Sequence, residues 1–168
     1  MAVEQASYKV LAKEGPFEIR LYEPMVVASC QEADLSGGDG FSRLFNYIGG
    51  NNRDSKKISM TAPVLNRPEA RQATMAFVMP NRMRLQDLPR PNDPALELVE
   101  IQERRMAAVV FSGRVNPGVT GRKKAELLEW LRKNRRAAVG ETELARYNPP
   151  FLPGFLRRNE LLVEVSDL

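Results

Sequence analysis

The residues best suited to chemistry in this chain lie in "RYNPPFLPGFLRRNE", residues 146–160. Tyr147, Phe151, Leu152 and Phe155 give the stretch a broad apolar surface, and Arg157 and Arg158 follow directly. A guanidinium grips a carboxylate through two parallel hydrogen bonds, so aromatic surface beside paired arginines suits a planar molecule bearing carboxylates. The same residues also fit a plainer role, a loop that seals one end of a sheet with its arginines paired to Glu160 or Glu164. A second group lies upstream. Phe41, Leu44, Phe45 and Ile48 recur at i, i+3, i+4 and i+7, the spacing of one helix face, which serves either as core or as one wall of a cleft. Tyr47 adds a polar edge to that helix, and Arg43 is placed to meet a carboxylate. Met60, inside "KKISMTAPVL" (56–65), would join the same wall, with Met75 and Phe77 as further additions to it. A thioether adapts to flat aromatic surface but equally fills gaps in cores.

The missing residue types are as informative. The chain has no histidine, so it lacks an imidazole base, a Ser-His-Asp or Cys-His pair, and an imidazole metal ligand. Its single cysteine, Cys30, cannot build a thiolate zinc site and sits in an apolar strand pattern, where a buried inert thiol is expected. No Gly-rich phosphate loop occurs, and no spacing of Asp and Glu marks a catalytic pair. The easy routes to an enzyme are therefore closed, and we assign no catalytic residue and no metal ligand. With 43% hydrophobic and 27% charged residues in 168, the composition is that of one soluble domain able to bury a core without disulfides. No apolar run reaches the roughly 18–20 residues of a membrane span. "MAVEQASYKV" lacks the basic start and apolar core of a signal peptide, which points to the cytoplasm. Arg122, Lys123, Lys124, Arg132, Lys133, Arg135 and Arg136 outnumber Glu126 and Glu129 along one segment. Such a helix could meet nucleic acid, an anionic membrane or an acidic partner. No recognition motif surrounds it, so a solvated basic face is expected and a nucleic-acid partner is not.

To position the two candidate groups the chain must supply a sheet and two helices. "FEIRLY" (17–22) alternates as a half-buried strand and "MVVASCQEA" (25–33) follows as a more apolar one. After "SGGDG", Asp39 can cap the first helix, and Gly49-Gly50 end it. The stretch 56–65 reads as a strand, with Pro63 at an edge, bulge or strand end, and "TMAFVMP" (74–80) as a central one. Residues 96–103 form a strand with a slip between Leu98 and Val99 that suggests a bulge. "MAAVVFSGRV" (106–115) comes next, then "NPGVTG" as a break. Thr120 caps a helix over 121–136 with Leu127, Leu128 and Leu131 inward. Residues 143–150, with Pro149 near the end, and 159–165 complete the pattern. Each half is strand, strand, helix, strand, strand, so 1–168 reads as a single domain with pseudo-repeats at about 8–80 and 96–165, a mixed α+β fold with a curved antiparallel sheet or open barrel.

Taken together, "FEIRLYEPMVVA", "YIGGNN", "KKISMTAPV", "TMAFVMP", "VVFSG" and "ARYNPPFLPGFLRRNE" resemble the signatures of the SOUL haem-binding protein family, in order, from about residue 8 to residue 165. The resemblance implies a distorted antiparallel β-barrel with two helices, built from two pseudo-symmetric halves. It is similar to the effector-binding domains of some bacterial multidrug regulators, whose groove takes up small, often cationic, molecules. By this resemblance the chain is a binding protein and not an enzyme, and its ligand is haem or another tetrapyrrole, a small planar hydrophobic molecule. The histidine proposed as axial ligand in some members has no counterpart here, and the position before Tyr47, often lysine, is Asn46. We assign no axial ligand. The expected ligand-binding set is Phe41, Arg43, Leu44, Phe45, Tyr47, Ile48, Met60, Tyr147, Phe151, Phe155, Arg157 and Arg158. The alternative is a binder or sensor of small hydrophobic organic cations, which would need a buried, unpaired carboxylate, with Glu160 and Glu164 as candidates.

Overall fold

Period-two alternation builds the strands and 3.6-residue spacing the two helices in the computed structural model, which describes residues 3–32, 38–68, 72–149 and 151–167. In chain order these are β1 (Glu4–Gln5), β2 (Tyr8–Glu14), β3 (Phe17–Tyr22), β4 (Met25–Gln31), α1 (Gly38–Ile48), β5 (Thr61–Ala62), β6 (Val64–Arg67) and β7 (Thr74–Val78). Then come β8 (Glu97–Ile101), β9 (Arg104–Ser112), α2 (Pro117–Lys133), β10 (Arg136–Arg146) and β11 (Arg158–Asp167). Short 3-10 turns lie at Leu85–Asp87 and Gly154–Leu156. Nine strands form one antiparallel sheet in the order β2-β3-β9-β11-β10-β6-β7-β4-β8, and β1 pairs separately with β5. The α+β expectation holds. The expected barrel is not closed: β2 and β8 are the two edges, and no ladder joins them among the described residues.

Helices cover one face of the sheet. Leu44, Tyr47 and Ile48 of α1 pack on Val26, Ala28 and Cys30 of β4 and on Met75 and Phe77 of β7. Leu127, Trp130 and Leu131 of α2 pack on Ile19, Val109, Leu144, Leu161 and Val163. The other face has a core of its own in Tyr22, Val27, Leu65, Ala76, Val78, Met106, Ala108, Ala145 and Leu162. Burial on both faces explains why the central strands read as apolar throughout.

Several expectations need correction. No bulge occurs at Leu98 and Val99: β8 pairs with β4 without a shift from Met25↔Ile101 to Ser29↔Glu97. Leu98 packs on the α1 side and Val99 on the opposite face, so adjacent apolar residues reflect two buried faces. The second helix starts earlier than expected. Asn116, not Thr120, is its cap and accepts a hydrogen bond from the Val119 amide at 3.0 Å, with Pro117 in the first turn. A proline after a capping asparagine opens a helix rather than breaking the chain. Leu128 is exposed and Trp130 takes the inward place. Asp39 lies inside the first turn of α1, where a carboxylate favours the helix dipole. Pro63 sits at the break between β5 and β6, after a cis peptide bond. The part of the 25–33 strand at Ala33 lies outside the described residues, as does Pro150.

Candidate functional site

A single row of side chains crosses the helix-covered face. Strand register links Phe111 (β9), Asn159 (β11), Arg146 (β10), Val64 (β6), Phe77 (β7), Ala28 (β4) and Leu98 (β8). Alternation dictates this. Arg146 lies two residues from Leu144 and Asn159 two from Leu161, so both point toward the helices. α1 lies over β4 and β7 and α2 over β9, β10 and β11, with β6 between them. Phe77, Phe111 and Asn159 are buried, whereas Val64 and Arg146 are only half-buried. Apart from Leu98 on the edge strand β8, which is also half-buried, the middle of the row is where the face stays accessible, and it joins an apolar side chain to a guanidinium.

Aromatic surface flanks that middle on the α1 side. Phe41 and Phe45 are exposed and stack on each other at 5.9 Å between centroids, and Phe41 meets the Phe77 ring edge-on at 5.3 Å. Half-buried Met60 and Val64 pack against the same cluster. On the α2 side the Lys123 ammonium lies 5.7 Å from the Phe111 ring. Arg146 donates to Asn66 Oδ1 at 2.8 Å, and burial pulls its pKa below the ordinary arginine value. It stays cationic all the same, since arginine does not deprotonate in proteins. Asn52, part of "YIGGNN", fixes the end of α1 against the following stretch by donating to the carbonyls of Tyr47 at 3.0 Å and Lys56 at 2.8 Å. The Thr61 hydroxyl donates to the Val78 carbonyl and ties β5 to β7.

The expected ligand-binding residues divide into groups. Leu44, Tyr47 and Ile48 are buried in the α1 core, and the Tyr47 hydroxyl donates to the Pro89 carbonyl at 2.7 Å. Its pKa is pushed up to about 12 by burial. Arg43 is half-exposed and pairs with Asp93 at 2.7 Å. Phe41, Phe45 and Met60 flank the accessible row. Phe151 and Phe155 are exposed, and Arg157 donates its Nε to the Leu152 carbonyl at 2.8 Å within its own loop. That loop leaves β10 immediately after Arg146 and enters β11 just before Asn159, so it adjoins the middle of the row. Sequence reasoning missed Arg146 itself. A charged residue two places from Leu144 in an alternating strand was the available signal.

Tyr147 and Arg158 belong to the opposite face, in a buried polar network centred on Glu160. Arg20, fully buried, donates two hydrogen bonds to the Glu160 carboxylate at 2.6 and 2.8 Å and one to Glu18 at 2.6 Å. Arg158 donates to Glu160 at 2.6 Å and to the Tyr8 hydroxyl at 3.1 Å, and the Tyr147 hydroxyl donates to Glu160 at 2.9 Å. Burial pushes the Glu160 carboxyl up, but the two guanidiniums outweigh it and hold the group below its usual value. The Tyr22 hydroxyl, which accepts from Arg20 at 2.9 Å, is pushed up to about 12 by burial. Glu160 is thus buried as the cation reading requires, but paired. Glu164 is exposed. Cys30 is buried with its Sγ 3.6 Å from the Gly40 carbonyl, and burial raises its pKa. Among the described residues no group of His, Cys, Asp and Glu could hold a metal ion, and no helix is long and apolar enough to cross a membrane.

A family model described as SOUL heme-binding protein matches residues 3–164, nearly the whole chain. No curated protein matches the sequence. Among solved structures the chain is similar to the C-terminal domain of EcmrR, with a TM-score of 0.66, 11% identity, and coverage of 96% of this chain and 99% of that one. It is also similar to a hydrolase from Listeria innocua, with a TM-score of 0.63, 13% identity, and coverage of 93% and 94%. An EcmrR–DNA complex matches with a TM-score of 0.64 and 12% identity over 90% of this chain and 57% of the regulator. At these identities the likeness shows the fold alone.

Proposed function

We propose, from the premise that this chain belongs to the SOUL heme-binding protein family, that it is a binding protein for a planar, hydrophobic, carboxylate-bearing molecule of the tetrapyrrole class, taken up on the helix-covered face. One observation carries the reading. The exposed Phe41–Phe45 stack rests on the buried Phe77 ring, and Val64, the half-buried register partner of Phe77, stands next to the half-buried Arg146, so apolar surface borders a guanidinium. Met60 extends the apolar side, and the Phe151 and Phe155 loop supplies a cover from the Arg146 side. Arg43 and Arg157 stand at the margins.

The residues present fit the apolar body and carboxylates of haem, and no axial ligand is assigned. Imidazole is absent from the chain and the Cys30 thiol is committed to the core. On this reading the apolar surface and Arg146 hold the ligand, so metal-free porphyrin should bind about as well as haemin. We assign no catalytic residue, read the basic face of α2 as solvated, and place the protein in the cytoplasm. The two-half reading is supported by the strand order: exchanging β3 with β8, β4 with β9, β6 with β10 and β7 with β11 reverses β3-β9-β11-β10-β6-β7-β4-β8 onto itself. A single domain over 1–168, with its sheet as a barrel left open, fits that order.

The test is a titration of wild type and Phe45→Ala with haemin and with metal-free protoporphyrin, followed by Soret absorbance. Phe45 is exposed, so the variant folds as wild type does. Saturable single-site binding of both ligands, weakened several-fold by Phe45→Ala, is the expected outcome. Absence of saturable binding by wild type defeats the proposal.

A further inference from the structure

The Glu160 network has the composition of a cation-binding cage, yet its cation comes from the chain itself. A fully buried carboxylate is surrounded by Tyr22, Tyr147 and Tyr8, and the Arg20 guanidinium lies 4.2 Å from the Tyr8 ring centroid while bonding both Glu160 oxygens. Tyr8 and Tyr22 meet at 4.9 Å with rings tilted by 47°, and Arg158 lies over Tyr147 at 4.3 Å. A cation held between aromatic faces and a desolvated carboxylate is the general chemistry by which proteins bind organic cations. An open cleft of about 580 Å³ reaches Tyr8 from outside, lined by Gln5, Ala6, Ser7, Leu21 and the rim residues Lys9, Glu23 and Glu103.

We propose that the helix-free face carries a site for a guanidinium-type or alkylammonium cation that Arg20 fills in cis, so that Arg20 is the residue that closes this face to free organic cations. The inference rests on geometry independent of the tetrapyrrole reading, which concerns the other face. Arg20 reaches the site from β3, the strand next to β9, while Glu160 stands on β11, the strand beyond it. The cation thus spans one strand to meet its counter-ion, and truncating its side chain leaves the cage walls on their own strands. Arg158 also bonds Glu160, but its side chain is 37% exposed against 0% for Arg20, so it forms the outer edge rather than the filling.

The experiment is chemical rescue. Wild type, Arg20→Ala and the double variant Arg20→Ala/Glu160→Gln are titrated with methylguanidinium and butylguanidinium up to about 10 mM, reading the melting temperature. Ligand that binds only the folded state raises it saturably. The expected result is a saturable rise of several degrees in Arg20→Ala alone, larger for the butyl compound, with wild type and the double variant unmoved. If Arg20→Ala is unfolded by itself, the same titration is read as recovered far-UV circular dichroism, and recovery supports the proposal. A flat titration of Arg20→Ala in both readouts overturns it, as does an equal rise in the double variant.

Discussion

Replacing Arg20 by methionine should be among the most damaging single changes in this protein, and the structure indicates its size. Arg20 and Glu160 both have fully buried side chains, bonded at 2.6 and 2.8 Å. Removing one member of a buried ion pair costs about 3–5 kcal/mol, mostly because the partner is left charged without water. Here Arg158 still bonds Glu160, at 2.6 Å, which places Arg20→Met near the lower end, at about 3 kcal/mol. For a chain of this length that corresponds to a fall in melting temperature of about 6–12 °C. The double variant Arg20→Met/Glu160→Met removes both charges. Of the groups left behind, Arg158 reaches solvent, and Glu18 is 12% exposed with Lys13 at 3.9 Å, so both retain some compensation. The double variant should recover at least half of the loss. Urea unfolding monitored by circular dichroism measures all three proteins. An Arg20→Met variant within 1 kcal/mol of wild type, or a double variant no more stable than the single, would refute the reasoning.

Two further outcomes follow from the same interactions. The folded-state pKa of Glu160 lies below the 4.5 ordinary for glutamate, so its contribution is fully present above that value and fades as pH falls through it. Acid titration of wild type should therefore show stability falling below about pH 4.5, with a shallower fall in Arg20→Met/Glu160→Met. Tyr47→Phe removes a buried hydrogen bond to the Pro89 carbonyl and should cost about 1–2 kcal/mol in urea unfolding. Porphyrin affinity should stay within twofold, because Tyr47 belongs to the α1 core; a larger loss would return it to the ligand.

Much of this was legible from residue order. "FEIRLY" is β3 to the residue, as its strict alternation indicates, but it is not half-buried as expected: Glu18, Arg20 and Tyr22 are buried on the helix-free face, where they join the Glu160 network. The α1 stripe was visible from its spacing, but spacing cannot tell which edge faces solvent. Leu44 and Ile48 turned inward with Tyr47, while Phe41 and Phe45 turned out, a division set by the packing of β4 and β7. β2 was not read at all, since its residues from Lys9 to Glu14 are exposed and carry no burial pattern. The two arginines after the aromatic loop looked equivalent. Strand alternation separates them: Arg158 opens β11 and shares a face with Glu160, whereas Arg157 precedes the strand and bonds its own loop. Arg146 was hidden for the opposite reason, standing inside a strand whose inward faces only the strand order brings together.

The central claim is that a planar dicarboxylate is held on the helix-covered face by apolar contact and the Arg146 guanidinium. The most direct measurement titrates wild type and Arg146→Ala with protoporphyrin and with its dimethyl ester, whose carboxylates are masked. Loss of a hydrogen bond to a charged group is worth about 1.5–3 kcal/mol, or roughly 10- to 100-fold in affinity. Arg146→Ala should weaken the free acid by that factor and leave the ester within twofold. Equal losses for acid and ester, or none for the acid, would contradict the account.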